Sequence, residues 1–88
     1  PKADVVIVNP THYSVALKYD QETMAAPIVL AKGADHLALQ IRMVARKNSI
    51  PVVSSPALAR SIFYHTELND EIPSGLFIAV AKVLAYVF

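Results

Sequence analysis

The chain has 88 residues, of which 55% are apolar and none is cysteine, and its formal net charge is +1. Without cysteine it has no disulfide framework, no thiolate zinc site and no thiol nucleophile, and its near-neutral charge gives no electrostatic signature of nucleic-acid binding. The longest apolar run, Leu76–Ala81, is far shorter than the ~20 residues of a membrane-spanning helix. We therefore predict one small domain over residues 1–88, with some apolar surface left exposed.

The first predicted element is a buried strand over residues 4–8, because Val5–Val8 is a run of β-branched side chains. Asn9-Pro10 should end this strand, since proline fixes φ and disfavours helix in the residue before it. Thr11 and His12 follow, and both side chains can form hydrogen bonds. The pattern predicts a polar turn at the end of a rigid strand.

An asparagine followed by proline has one reactive route left to it. Ordinary deamidation of Asn9 cannot occur, because it requires the backbone N–H of the next residue to attack the side-chain carbonyl, and Pro10 has no N–H. The Asn9 side-chain nitrogen can instead attack its own backbone carbonyl, close a succinimide and expel the Pro10 nitrogen. A folded turn would supply proximity, Thr11 could orient it, and the His12 imidazole could move the protons near neutral pH. A purely structural type I turn is the alternative, and the chemistry alone leaves both open.

Three more strands are predicted further along. Alternating residues indicate a second strand over residues 13–19, and Pro27 begins a third over residues 27–32 that Gly33 is expected to break. A fourth strand covers residues 50–54. Because it follows a crossover helix, it should pair in parallel with a neighbour, which makes the sheet mixed.

Three helices complete the predicted α/β fold, in which a small mixed four-stranded sheet is flanked by helices. Apolar residues at helical spacing give a helix over residues 35–48, with Asp35 as an N-cap or first-turn acid. Ser55-Pro56 begins the next, over residues 56–65, and the last covers residues 73–87. That last helix has Lys82 as its one charged residue, so part of its apolar surface should remain exposed.

Neither a metal nor a cofactor is predicted. The spacing of His12, His36 and His65 matches no ligand motif, and Lys32-Gly33 lacks the pattern that cradles a phosphate.

The tetrapeptide Asn9-Pro10-Thr11-His12, preceded by Pro1-Lys2-Ala3-Asp4-Val5-Val6, resembles the self-cleavage signature of the FlhB/YscU family, the export-switch proteins of bacterial type III secretion. The flagellar branch is the more similar one. The chain differs from the family pattern at two places. Lys82 stands where an acidic residue is common, and Pro56-Ala57 stands where two prolines are common. Further family landmarks are Tyr13–Asp20, Ala26-Pro27, Ala31–Asp35, Pro56–Arg60, Ile72-Pro73 and Ala79–Val87.

The resemblance implies a role for each residue of the motif. Asn9 would be nucleophile and scissile residue, Pro10 the leaving residue, and Thr11 and His12 the positioning and proton-handling residues. The reaction would occur once per molecule, so the domain would process itself without being a turnover enzyme. Pairing between the first two strands would keep the cleaved fragments associated.

The resemblance also implies a setting at the cytoplasmic face of the bacterial inner membrane, with a membrane domain and a linker upstream providing the only membrane attachment. Partners would be other export-apparatus proteins, export substrates and a ruler protein that measures hook length, with no nucleic acid. Cleavage would let the apparatus switch from early to late substrates. Substrates or partners could dock at Ala26, Pro27, Ala81 and Leu84.

Two other functions stay open at this point. One is a non-cleaving protein-interaction module whose Asn-Pro turn is structural. The other is a small-ligand-binding α/β domain, for which the sequence has no sign of convergent polar groups.

Overall fold

The structure, a computed structural model, describes residues 3–10 and 12–88. One four-stranded sheet has the order β3-β2-β1-β4. Strand β1 pairs antiparallel with β2 and parallel with β4, and β2 pairs antiparallel with β3. The elements are β1 (Val5–Asn9), β2 (Tyr13–Lys18), β3 (Ile28–Ala34), α1 (Asp35–Lys47), β4 (Val52–Ser54), α2 (Pro56–His65), a 3₁₀ turn (Ser74–Leu76) and α3 (Phe77–Val87). The predicted mixed α/β fold is confirmed.

Strand β1 is the most enclosed element, because helices cover both faces of the sheet. Val5 and Ile7 belong to a core completed by α2 and α3, whereas Val6 and Val8 belong to a second core under α1. All four side chains are at most 3% exposed. Each such burial contributes about 1.5–3 kcal/mol relative to exposure, so the end of β1 is held firmly.

The strand ends differ from the prediction by one or two residues, and one difference is informative. Strand β3 continues through Gly33, which pairs with Ser14, so the expected break at Gly33 is wrong. A Cβ on Gly33 would lie 2.5 Å from the Leu37 Cγ atom. Glycine therefore serves here to let α1 approach the strand, because a side chain would not fit.

The last strand and the last helix also start later than predicted. Val52 begins β4, because residues 50 and 51 precede the paired segment. The third helix starts with the 3₁₀ turn Ser74–Leu76, and its α-helical part begins at Phe77. Of the helices in the described part of the chain, none combines the length and apolar character needed to cross a bilayer.

Candidate functional site

The Asn-Pro turn, residues 9–12, joins β1 to β2. Asn9 is the last residue of β1 and pairs with Tyr13, so the turn leaves directly from the ladder. Asn9 is half-buried, whereas Pro10 and His12 are exposed. Thr11, predicted to orient the turn, lies outside the described residues. The ladder thus holds the predicted nucleophile at the end of the buried strand, with the bond to Pro10 at the surface.

The Asn9 carbonyl accepts a hydrogen bond within the turn. The backbone N–H of His12 donates to the Asn9 oxygen at 2.9 Å. This oxygen belongs to the peptide bond between Asn9 and Pro10. A fixed N–H aimed at a carbonyl oxygen is the arrangement that stabilises negative charge developing there when the carbon is attacked.

The His12 imidazole lies beside the first residue of α1. Its Nδ1 atom is 4.0 Å from an Asp35 carboxylate oxygen, and both side chains are largely exposed. The backbone N–H of Asp35 donates to the His12 carbonyl at 2.8 Å. Asp35 has φ 51°, in the left-handed region that aspartate tolerates better than most residues. The backbone thus holds residue 35 next to His12, within reach of the imidazole.

An aromatic cluster supports the β2 side of the turn. The ring of Tyr13 packs on Phe63, with centroids 4.6 Å apart, and meets Tyr64 edge-on. The Tyr13 and Tyr64 hydroxyls form a 2.6 Å hydrogen bond, which raises the pKa of Tyr13 above its ordinary value, and desolvation raises it further. These contacts tie the start of β2 to the end of α2.

Lys32 of β3 caps the other side of this cluster. Its ammonium lies 5.0 Å from the centre of the Phe63 ring. It also donates to the carbonyl oxygens of Phe63 and Thr66, at the C-terminal end of α2. A cation there satisfies carbonyls that the helix leaves free and complements the helix dipole. The position of the cluster is therefore set jointly by β2, β3 and α2.

A second feature is an apolar groove of about 390 Å³ on the α3 side of the sheet. It is lined by Tyr19, Gln21, Ala25, Ala26, Pro27, Phe77, Ala81, Leu84, Ala85 and Phe88. All four residues predicted to dock a partner are in this set. Ala26, Pro27 and Leu84 are buried and form the inner surface, whereas Ala81 is exposed. The groove and the Asn-Pro turn have no residue in common.

Several of these neighbours were absent from the sequence prediction. The sequence predicted only that Asp35 begins a helix. In the structure, the β2–β3 register pairs Tyr13 with Ala34, and this places His12 opposite Asp35. The aromatic cluster had no sequence signal, because its members are about 50 residues apart. In residues 3–10 and 12–88, no three histidine or carboxylate side chains gather where they could hold a metal ion.

With this geometry established, comparison with known proteins identifies the family. A family model described as the FlhB HrpN YscU SpaS Family matches residues 1–87. The chain belongs to this family. It is 52% identical to the flagellar biosynthetic protein FlhB of Escherichia coli (strain K12) over 88 residues, which are 100% of this chain and 23% of that relative. The corresponding protein of Bacillus subtilis (strain 168) is 49% identical over 88 residues, 100% of this chain and 24% of that relative. The chain thus spans about a quarter of the length of these relatives.

Solved structures of family members have the same fold. The cytoplasmic domain of FlhB from Shewanella putrefaciens superposes with a TM-score of 0.94 at 58% identity, covering 100% of this chain and 67% of that chain. A variant EscU C-terminal domain with an asparagine replaced by alanine has a TM-score of 0.95 at 31% identity, covering 99% and 87%. Another, with the adjacent proline replaced by alanine, has a TM-score of 0.94 at 31% identity, covering 99% and 86%. The family resemblance is confirmed, with greater similarity to the flagellar proteins.

Proposed function

We propose that this domain cleaves its own backbone between Asn9 and Pro10 as part of a flagellar type III protein export apparatus. The observation that carries the proposal is the hydrogen bond from the His12 N–H to the Asn9 carbonyl oxygen, at the end of a strand buried on both faces. Inert turns can have the same hydrogen bond, so its support for cleavage comes from its position: it stabilises the carbonyl of an Asn-Pro bond that a buried strand holds in place.

The reaction would be an intramolecular acyl transfer. The Asn9 side-chain nitrogen attacks the Asn9 backbone carbon and loses a proton, while the carbonyl oxygen becomes an oxyanion facing the His12 N–H. The bond from that carbon to the Pro10 nitrogen then breaks, and this nitrogen takes up a proton. The products are a succinimide at the end of the first fragment and a secondary amine at Pro10. Water later opens the succinimide.

His12 would contribute in two ways. Its backbone N–H is the oxyanion donor described above, and its imidazole would take the proton from the attacking nitrogen or pass one to the leaving nitrogen. The imidazole is exposed and close to the turn, so it can exchange protons with solvent. Thr11 would orient the turn, as the family resemblance implies.

The fragments would stay together after cleavage. Val5–Val8 would remain paired with β2 on one side and β4 on the other, and the Asp4 carboxylate accepts a hydrogen bond from the Tyr19 N–H at 2.8 Å. Cleavage would therefore release the ends of the turn while preserving the fold. That local change is our proposed basis for switching from early to late export substrates.

The apolar groove supports a docking role for the same domain. Its lining includes exposed Phe77 and Phe88 as well as Ala81, and such surface fits a partner that presents apolar side chains. We propose that export substrates or apparatus proteins, including a hook-length ruler, interact with the domain, and that the groove holds one of them. We also propose a position at the cytoplasmic face of the inner membrane, with membrane attachment through another part of the protein. The similarity to the cytoplasmic domain of FlhB from Shewanella putrefaciens supports this position.

Intact mass under denaturing conditions tests the cleavage. We expect a fragment of residues 1–9 and a fragment of residues 10–88. Asn9→Ala should give one intact chain, and so should Asn9→Asp, which keeps the size of the side chain but removes the nucleophilic nitrogen. An uncut wild-type chain after long incubation at neutral to mildly alkaline pH would leave the non-cleaving interaction module as the function.

A further inference from the structure

Asp35 and His12 are held side by side by the backbone. The β2–β3 register ends at the pair Tyr13–Ala34, and the next two residues outward are His12 and Asp35. The 2.8 Å hydrogen bond from the Asp35 N–H to the His12 carbonyl extends the ladder by one step. Only side-chain torsions remain free, and the Nδ1 and carboxylate oxygen atoms are already 4.0 Å apart.

The left-handed conformation of Asp35 explains why a short polar residue stands there. With φ at 51°, a bulky or β-branched side chain would be strained, whereas aspartate, asparagine and glycine adopt this conformation most readily. Asparagine or glycine would satisfy the backbone equally well. Aspartate alone of the three also brings a negative charge to His12.

The polar groups next to Asp35 and Tyr13 are hydrogen-bonded elsewhere or carry the wrong charge to orient His12. The Tyr13 hydroxyl is hydrogen-bonded to Tyr64, and His36 lies 3.4 Å from the Gln40 side chain. Arg60 acts electrostatically on Tyr13, the residue next to His12, and its guanidinium cannot accept a hydrogen bond from a ring N–H. Compared with these described side chains, the Asp35 carboxylate is the one suited to orient the His12 imidazole.

We propose that Asp35 is a positioning residue for the self-cleavage of this chain. Its carboxylate draws the proton of the neutral imidazole to Nδ1, which leaves the Nε2 lone pair free to accept a proton from the attacking Asn9 nitrogen. Without the carboxylate, the imidazole samples both tautomers and more orientations, and a smaller fraction of molecules is ready to react. This inference rests on the proposed self-cleavage.

The cleavage rate of newly synthesised chain tests the proposal directly. Samples from a cell-free translation are quenched in denaturant at intervals, and the intact and cut masses are measured. Asp35→Asn and Asp35→Gly both tolerate the left-handed backbone and keep the N–H, so each should slow cleavage about tenfold through loss of the carboxylate. Glu22→Gln removes one exposed carboxylate beyond the far end of β2 and should leave the rate unchanged.

A spectroscopic readout separates positioning from a general effect on the fold. In an Asn9→Ala background, where no cleavage occurs, the imidazole ¹⁵N shifts of His12 report which nitrogen carries the proton. We expect Nδ1–H with Asp35 present and a shift toward Nε2–H in Asp35→Asn. Matching rate losses in the two Asp35 variants, together with this tautomer change, support the proposal.

Three results would overturn it. The first is wild-type rate in Asp35→Asn. The second is slowing in Asp35→Asn but not in Asp35→Gly, which would assign the effect to the new amide side chain and not to the lost carboxylate. The third is an unchanged His12 tautomer. An uncut wild-type chain overturns both this inference and the proposed self-cleavage, whereas a normally cut wild type with normally cut variants overturns this inference alone.

Discussion

The backbone nitrogen of His12 lies 2.9 Å from the carbonyl oxygen of Asn9, so the turn donates a hydrogen bond to the carbonyl of the Asn-Pro bond. In an ordinary turn this hydrogen bond only provides a partner for one backbone N–H and one backbone carbonyl. Here the carbonyl precedes proline and follows a strand whose four preceding side chains are at most 3% exposed. The firm strand and the fixed donor restrict the same carbonyl from both sides, which is what an intramolecular attack requires.

Cleavage should change the way the domain unfolds. Once the bond after Asn9 is broken, unfolding separates two chains, so the unfolding midpoint should rise with protein concentration. Each tenfold increase should add about 1.4 kcal/mol to the apparent free energy of unfolding, by mass action. Urea unfolding at several protein concentrations measures this.

The uncut Asn9→Ala chain is the control for that experiment, because a single chain should unfold at a midpoint independent of concentration. Size-exclusion chromatography of the cut protein in native buffer gives a second check. Elution of residues 10–88 without residues 1–9 would contradict the expected association of the fragments.

Much of the fold could be predicted from local patterns. The β-branched run at Val5–Val8 predicted the inner strand β1, and Ser55-Pro56 predicted the start of α2 at Pro56. These features are encoded within a few residues, where packing preference and proline geometry dominate. The same local rule failed at Gly33, because the glycine is needed for contact with α1 and does not end the strand.

The surroundings of the Asn-Pro turn could not be predicted in the same way. The neighbour of His12 is Asp35, and their pairing depends on a β2–β3 register that shifts between Ala16 and Leu17. No periodic pattern in the sequence encodes such a shift within a strand pair. The contact of Tyr13 with α2 likewise depends on how the helix packs on the sheet. The Asn-Pro dipeptide could therefore be predicted from the sequence, whereas the residues that surround it could not.

Replacing Gly33 by alanine should destabilise the domain. The new Cβ would lie 2.5 Å from the Leu37 Cγ atom and 2.9 Å from its Cβ atom, so α1 must shift outward. We expect a loss of about 1–3 kcal/mol in the free energy of unfolding, as for other overpacked sites, measured by urea unfolding of an Asn9→Ala chain.

Gly75→Ala is the matched control, since a Cβ there would meet nothing within 4 Å. It should be neutral or stabilising by up to about 1 kcal/mol, because alanine restricts the unfolded chain more than glycine does. Adding Leu37→Ala to Gly33→Ala should recover part of the loss. An unchanged stability in Gly33→Ala alone would show that α1 does not rest on this glycine.

The Tyr13–Tyr64 hydrogen bond should be visible in the alkaline pH dependence. It raises the pKa of Tyr13 in the folded state, so its stabilising effect is complete below the unfolded pKa and is lost as pH rises through the folded pKa. Tyr64→Phe should lower the pKa of Tyr13 and flatten the fall in stability above about pH 10. Tyrosinate absorbance and urea unfolding across that range measure the two effects.

Tyr86→Phe serves as the comparison for that variant, because Tyr86 is 85% exposed and lies on α3. It removes one tyrosine without affecting the pair. If Tyr64→Phe and Tyr86→Phe gave the same alkaline stability profile, the hydrogen bond would have no role in the folded state.

A charge at the exposed edge of the apolar groove should weaken export if a partner docks there, and should leave export unchanged if nothing binds. Ala81 and Ala85 line the groove and are exposed, so Ala81→Asp and Ala85→Asp should lower the free energy of unfolding by only about 1 kcal/mol, through lower helix propensity and a carboxylate toward the helix C-terminus. A carboxylate facing an apolar partner would lose its water, and at least tenfold weaker docking is expected, about 1.4 kcal/mol. Secretion of export substrates by cells that carry each substitution in the full-length protein measures the effect.

Ala79→Asp is the control for the groove, because Ala79 is exposed on the same helix and is not among the lining residues. Leu84 is unsuitable for a charge, since it is 6% exposed and belongs to the core around Ile7, so its substitution would unfold the domain and obscure docking. Reduced secretion for Ala81→Asp and Ala85→Asp but not Ala79→Asp locates docking in the groove. Equal secretion for all three, with folding intact, would exclude the groove as a docking surface and leave the domain's role to the Asn-Pro turn.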